Sequence, residues 1–174
     1  MDLKEFHRRS IEDREAFWAE QATLIDWHAP FTKVLDDSRL PFTRWFVDGQ
    51  TNLCHNAIDR HLATQSDKPA LIFVSTETGD ERTYTFGQLH REVQRMAAIM
   101  QSLGVRRGER VLIYLPMIPE ALFAMYACAR IGAIHTVVFG GFASHSLATR
   151  IDDATPVLIV SADGGSRGRK VVPY

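Results

Sequence analysis

Arg167, Arg169 and Lys170 put three cations within four residues, interleaved with glycine in the run Gly164-Gly-Ser-Arg-Gly-Arg-Lys170. Guanidinium groups offer forked donors and loop amides add more, so such a run, Gly168 included, can grip phosphate. It is not a Walker A loop: counted from Gly164, Arg169 stands where the second glycine belongs. A solvated basic loop accounts for the same residues equally well on local pattern. The other candidate is Phe139-Gly140-Gly141-Phe142, ahead of a helix expected to begin near Ser144. Two glycines let a ligand approach the backbone, and a helix N-terminus favours anions. A tight strand-to-helix turn needs glycine as well, and the pattern by itself leans towards the turn.

Other chemistries lack their residues. Cys54 and Cys128 are the only cysteines and form no C-x-x-C pair, which argues against a disulfide scaffold and a thiolate zinc site. The seven histidines contain no H-x-x-x-H spacing, so a helical metal site lacks its usual signature. No G-x-G-x-x-G follows a strand, which counts against a nicotinamide-type oxidoreductase. Asp152 and Asp153 are adjacent, so on a helix they point about 100° apart; they read as a frayed helix end. A net charge of −1 gives no overall field for nucleic acid or an anionic membrane. No apolar run approaches the ~20 residues of a membrane span, and the N-terminus has no signal-like apolar segment, so the expected location is cytoplasmic.

The elements that must position these residues follow from periodicity. Residues 1–50 hold all three tryptophans, interrupted by Pro30 and Pro41, and read as a segment that wraps over a larger body. Ser10 and Asp13 suggest a helix start, with a helix over Glu12–Leu24. Residues 51–66 read as one short helix with Leu53, Ala57, Ile58 and Leu62 on its apolar face. Ala70–Val74 and Arg82–Phe86 flank turn chemistry and suggest a hairpin. Thr85 and Gln88 form a capping-box pattern ahead of an apolar stripe of Leu89, Val93, Met96, Met100 and Leu103, with Gly104 as the stop.

From residue 110 the rhythm is strand, helix, strand, helix, strand. The strands are Arg110–Leu115, Ala133–Phe139 and Val157–Val160, continuous apolar runs expected to be buried on both faces. One helix starts at Pro119 and ends at Gly132; the next spans Ser144–Asp153 with Leu147 and Ile151 inward. The expected fold class is α/β, with β-α-β units and a parallel sheet behind a mainly helical or irregular extension. Both candidate runs then fall at the C-terminal ends of strands, where open α/β sheets bind ligands. A sheet ending on a bare apolar strand leaves an edge that proteins normally cover, which suggests that the sheet continues in further residues.

Longer stretches carry a family resemblance. Trp45-Phe-Val-Asp-Gly-Gln-Thr-Asn-Leu-Cys-His-Asn-Ala-Ile-Asp-Arg-His61, Tyr114-Leu-Pro-Met-Ile-Pro-Glu120, Ala127-Cys-Ala-Arg-Ile-Gly-Ala-Ile-His135 and Val138-Phe-Gly-Gly-Phe-Ala-Ser-His-Ser146 resemble AMP-forming short-chain acyl-CoA synthetases. Asn52–Asn56 and Phe142–Ser146 resemble propionate ligases more than acetate ligases. The resemblance implies the adenylate-forming (AMP-binding) fold, with residues 1–62 as an N-terminal extension and 63–174 opening the synthetase domain. It implies ATP, Mg²⁺ and coenzyme A as reactants, propionate or acetate as substrate, and no prosthetic group. It also implies that the chain is the N-terminal piece of a longer enzyme and is inactive alone. The family's Thr/Ser/Gly loop ending in Pro-Lys-Gly does not occur in these residues, and no catalytic residue is assigned here. The family's Arg-x-x-Arg segment, which holds the nucleotide end of CoA, corresponds to Arg167-Gly168-Arg169-Lys170, leaving Arg169 and Lys170 as alternatives for the second cation. Phe139, Gly140 and Gly141 correspond to a turn lining the same pocket. The competing readings are an acetate ligase and a stand-alone CoA- or nucleotide-binding or interaction module without catalysis.

Overall fold

A computed structural model describes residues 2–140, 144–168 and 170–174. The chain divides into two compact units, Met1–Asn52 and Leu53–Tyr174.

In the first unit, α1 (Leu3–Glu12) and α2 (Arg14–Ala22) precede an antiparallel pair, β1 (Lys33–Asp36) and β2 (Arg44–Val47). The sequence reading placed one helix over Glu12–Leu24 and missed α1. Asp2, not Ser10, caps α1, accepting from the Glu5 amide at 2.8 Å. Ser10 lies inside that helix and its hydroxyl donates to the His7 carbonyl at 2.7 Å. Its alternative to capping is the back-bond that serine makes in mid-helix. The aromatic residues pack on one another: Phe17, fully buried, meets Phe6 and Trp18 edge-on at 4.8 and 5.1 Å, and Trp27 meets Phe31 and Phe46 at 5.2 and 5.5 Å. Edge-to-face geometry sets positive ring edges against negative faces.

The second unit begins with α3 (Leu53–Ala57), a 3₁₀ turn (Asp59–His61) and α4 (Leu62–Gln65), not the single helix expected over 51–66. The break falls at Ile58, whose φ of −127° is not helical. Cys54 and Ile58 are the buried residues here, and Leu53 is exposed. The hairpin forms as expected from β3 (Pro69–Val74) and β4 (Glu81–Thr85). It leads into α5 (Phe86–Ser102), which buries Leu89, Val93, Ala97 and Met100. Leu103, expected on that face, is exposed, because Gly104 follows at φ +96° and turns the chain out of the helix.

The sheet is built from β5 (Arg110–Leu115), β6 (Ile134–Phe139) and β7 (Leu158–Ser161), all parallel, in the order β6-β5-β7. Helix α6 (Pro119–Ile131) joins β5 to β6, and α7 (Ser144–Ala154) joins β6 to β7. Side chains alternate across a strand. Val111, Ile113 and Leu115 therefore enter the core beneath α5 and α6, and Leu112 and Tyr114 face Leu147 and Ile151 of α7. Helices on opposite faces for connections that run in opposite directions are what right-handed crossovers require. Only the central strand meets the expectation of two buried faces. Ile134, Val137 and Ile159 on the flanking strands are exposed. The end of α7 is not frayed: Arg110 donates from Nε to the Ala154 carbonyl at 3.0 Å and from Nη2 to the Thr155 carbonyl at 3.1 Å. A cation on terminal carbonyls complements the negative end of the helix. Asp152 and Asp153 lie exposed just before that cap.

Candidate functional site

Strand β5 delivers the chain to a helix on one face of the sheet and β6 delivers it to the other. The crevice of a doubly wound sheet opens between two such strands at their C-terminal ends. Pro116 follows β5 there and Gly140 follows β6. Phe139 ends β6 with its backbone opposite Leu115. Gly141 lies outside the described residues.

The segment after β7 is not the basic loop expected from composition. It is an antiparallel hairpin of β8 (Gly164–Arg167) and β9 (Lys170–Pro173), with Arg167 directly opposite Lys170. Gly168 occupies the turn at φ +57°, a conformation that a side chain would strain. Arg169 lies outside the described residues. Arg167 and Lys170 are exposed and make no ion pair with any described residue. Like charges directly opposite on a hairpin are unfavourable. An anion held between two such cations offsets their repulsion.

Tyr174, which no sequence pattern singled out, joins the two candidate runs. Its hydroxyl donates to the Gly140 carbonyl at 2.9 Å, and its ring lies 5.0 Å from that of Tyr114. A Cβ built on Gly140 would lie 2.5 Å from the Tyr174 hydroxyl oxygen, and so would one on Gly165. The glycine at 140 is thus explained by a packed ring, an account different from both ligand approach and turn geometry. Partial burial, with Tyr114 beside it, raises the Tyr174 phenol above its ordinary pKa, so it stays a donor at neutral pH.

An open cavity of about 640 Å³ lies beside the hairpin base, lined by Arg82, Pro116, Met117, Glu120, Gly164 and Gly165 among others. Among the described residues that line it, the acids Glu77, Asp80, Glu120 and Asp163 outnumber the cation Arg82, the wrong balance for phosphate. Arg167 and Lys170 do not line it. Among the described residues no group of three or more His, Cys, Asp or Glu converges to hold a metal ion. Both cysteines are buried, and burial pushes the Cys128 thiol up to about 11, so neither is a ready nucleophile. Among the described residues no helix is long and apolar enough to cross a membrane.

Comparison with known proteins agrees with this architecture. The family model described as AMP-binding enzyme matches residues 58–172, and that of the acetyl-coenzyme A synthetase N-terminus matches residues 3–57. The chain belongs to the AMP-binding enzyme family, and its α/β sheet is part of the adenylate-forming fold. It is 64% identical to a propionate–CoA ligase of Escherichia coli (strain K12) over all 174 residues, which are 28% of that relative. It is 55% identical over 167 residues to an acetyl-coenzyme A synthetase of Thiobacillus denitrificans, covering 95% of this chain and 25% of the relative. The solved acetoacetyl-CoA synthetase from Streptomyces lividans superposes with a TM-score of 0.91 at 32% identity, over 99% of this chain and 27% of that one. The chain thus spans about 28% of the length of the propionate–CoA ligases that it matches.

Proposed function

We propose that this chain is part of a ligase that joins propionate, or another short-chain carboxylate, to coenzyme A. In the first step a carboxylate oxygen attacks the α-phosphorus of ATP, and pyrophosphate leaves, giving an acyl-adenylate. In the second the CoA sulfur, having lost its proton, attacks the acyl carbon and AMP departs. Residues 1–62 form the N-terminal extension of this reading and 63–174 the opening of the AMP-binding domain. Reactants are small molecules, the location is cytoplasmic, and Mg²⁺ enters with ATP; no step is assigned to the metal through residues of this chain.

Within the chain, the CoA site comprises Phe139, Gly140 and Gly141 with Arg167, Gly168, Arg169 and Lys170. The observation that carries this is the cross-strand pair Arg167 and Lys170 at a hairpin tip, neither neutralised by a described acid. Free CoA carries a 3′-phosphate and a pyrophosphate, and an enzyme that takes it from solution needs cations at the mouth of the site. Lys170 is favoured as the second contact because it stands opposite Arg167. The identities of the relatives, 64% to a propionate ligase against 55% to an acetate-type enzyme, favour propionate.

The test uses the protein expressed from the complete coding frame. A charge-assisted hydrogen bond contributes about 1.5–3 kcal/mol, roughly ten- to a hundred-fold in affinity. Arg167→Ala is expected to raise KM for CoA by that factor while leaving KM for ATP and pyrophosphate exchange unchanged. CoA lacking its 3′-phosphate should penalise the wild type and make little further difference to the variant. Slowed pyrophosphate exchange with CoA spared would move the hairpin to adenylation. A clear preference for acetate over propionate in kcat/KM would overturn the finer substrate assignment.

A further inference from the structure

We propose that Tyr174 is a positioning residue for the CoA site, locking the β8–β9 hairpin to the turn after β6 so that Arg167 and Lys170 are held in place; this rests on the CoA reading above. The hairpin needs such an anchor. It is a separate two-stranded sheet, not hydrogen-bonded into β6-β5-β7. A two-stranded hairpin is marginal by itself in water, and all four residues of β9 are exposed. The large side chain that the segment half-buries is Tyr174, which packs with Leu112, Tyr114 and Val138 on the α7 face of the sheet.

Tyr174 is held at both ends. Its amide donates to the Asp163 carbonyl at 3.2 Å, closing the hairpin base, and its hydroxyl reaches the Gly140 carbonyl at 2.9 Å. Two glycines from different elements are fitted around the same ring. A Cβ at Gly140 would lie 2.5 Å from the hydroxyl oxygen and 2.8 Å from Cε2. One at Gly165 would lie 2.5 Å from that oxygen and 3.1 Å from Cζ. Neither glycine has a positive φ. Both positions therefore require space, not backbone freedom. Three contacts on one side chain couple the turn at Gly140 to the hairpin whose tip carries the cations. Gly164 and Arg167 are three residues apart, roughly 10 Å along a strand, so a small tilt at the base moves the tip appreciably.

The experiment again uses the protein from its complete frame. Tyr174→Phe keeps the ring and removes one hydrogen bond. It should raise KM for CoA about three- to tenfold and leave pyrophosphate exchange and KM for ATP unchanged. Gly165→Ala should impair CoA use more severely, because its methyl meets the phenol oxygen. Adding Tyr174→Phe to Gly165→Ala removes that oxygen, so the double variant should recover part of the lost CoA affinity. Such rescue, confined to CoA kinetics, supports the positioning role. Additive losses, or equal losses in CoA and ATP use, overturn it, since a merely structural tyrosine would affect both. If Arg167→Ala leaves KM for CoA untouched, the CoA reading falls. If Arg167→Ala raises it and Tyr174→Phe does not, the positioning role alone falls.

Discussion

Asp59 lies beside two basic side chains far from it in sequence: its Oδ1 accepts from Arg130 Nη2 and lies 3.4 Å from His90 Nε2. The contact joins the 3₁₀ turn to α6 and α5 at partly buried positions. Burial lowers the His90 pKa, and the Arg130 charge lowers it further, with a smaller push from Arg91; Asp59 acts in the opposite direction. At neutral pH the imidazole is therefore uncharged, and Arg130 is the charge partner of Asp59. Burial alone lowers the His135 pKa on β6. A histidine whose folded pKa lies below its unfolded value binds its proton more tightly when unfolded. The stability contributed by His90 and His135 is then fully present above about pH 6.5, the unfolded value, and is lost as pH falls from there through the lower folded pKa values. Urea midpoints should drop between pH 7.5 and 5.5, and His135→Gln should flatten that dependence. An NMR titration should place both imidazoles below 6.5, with Asp59→Ala moving His90 lower still. An upward move would contradict the assigned balance of charges.

At the scale of single elements, α5 starts from a complete capping box. The Thr85 hydroxyl oxygen accepts from the Gln88 amide at 3.2 Å, and Gln88 Oε1 accepts from the Thr85 amide at 2.8 Å. Its partners are three residues apart, so the motif is readable from sequence and needs no tertiary help. Thr85→Ala should cost about 1 kcal/mol, read as a lower unfolding midpoint with faster hydrogen exchange in the first turn of α5. An unchanged midpoint would mean that packing of Leu89 and Val93 alone holds the helix start. The same local logic located Pro119 at the first turn of α6 and Gly132 at its end, with φ +72°. It failed over residues 51–66, because the break at Ile58 resets the helical phase, and the buried face became Cys54 and Ile58.

For the whole molecule, strand order decides which apolar runs are covered. Central β5 is almost wholly buried, whereas β6 exposes Ile134 and Val137 and β7 exposes Ile159. Parallel strands rich in Val and Ile belong under helices on both faces. Left bare, such strands and their free edges are templates for association. The 174-residue chain expressed alone should self-associate reversibly in sedimentation velocity as its concentration rises, and Val137→Lys should weaken that association. A monomer at all concentrations, with the native helix content, would show that the edges are tolerated.

Local patterns were enough for what depends on neighbours in the chain: the capping box, the hairpin of β3 and β4, and three parallel strands within a residue or so of their observed limits. The family was legible as well, because its motifs are long and contiguous. Only the tertiary structure could decide the order β6-β5-β7 and the bridging of α7 by Arg110, 44 residues before its carbonyl partner. The same holds for the seating of Tyr174 against Gly140, 34 residues away. Periodicity reports which face of an element is apolar, but not which other element meets it. The pairing of Arg167 with Lys170 is local, with Gly168 at positive φ beside it. Composition suggested a loop there, since glycine and charge read alike whether the backbone is paired or not.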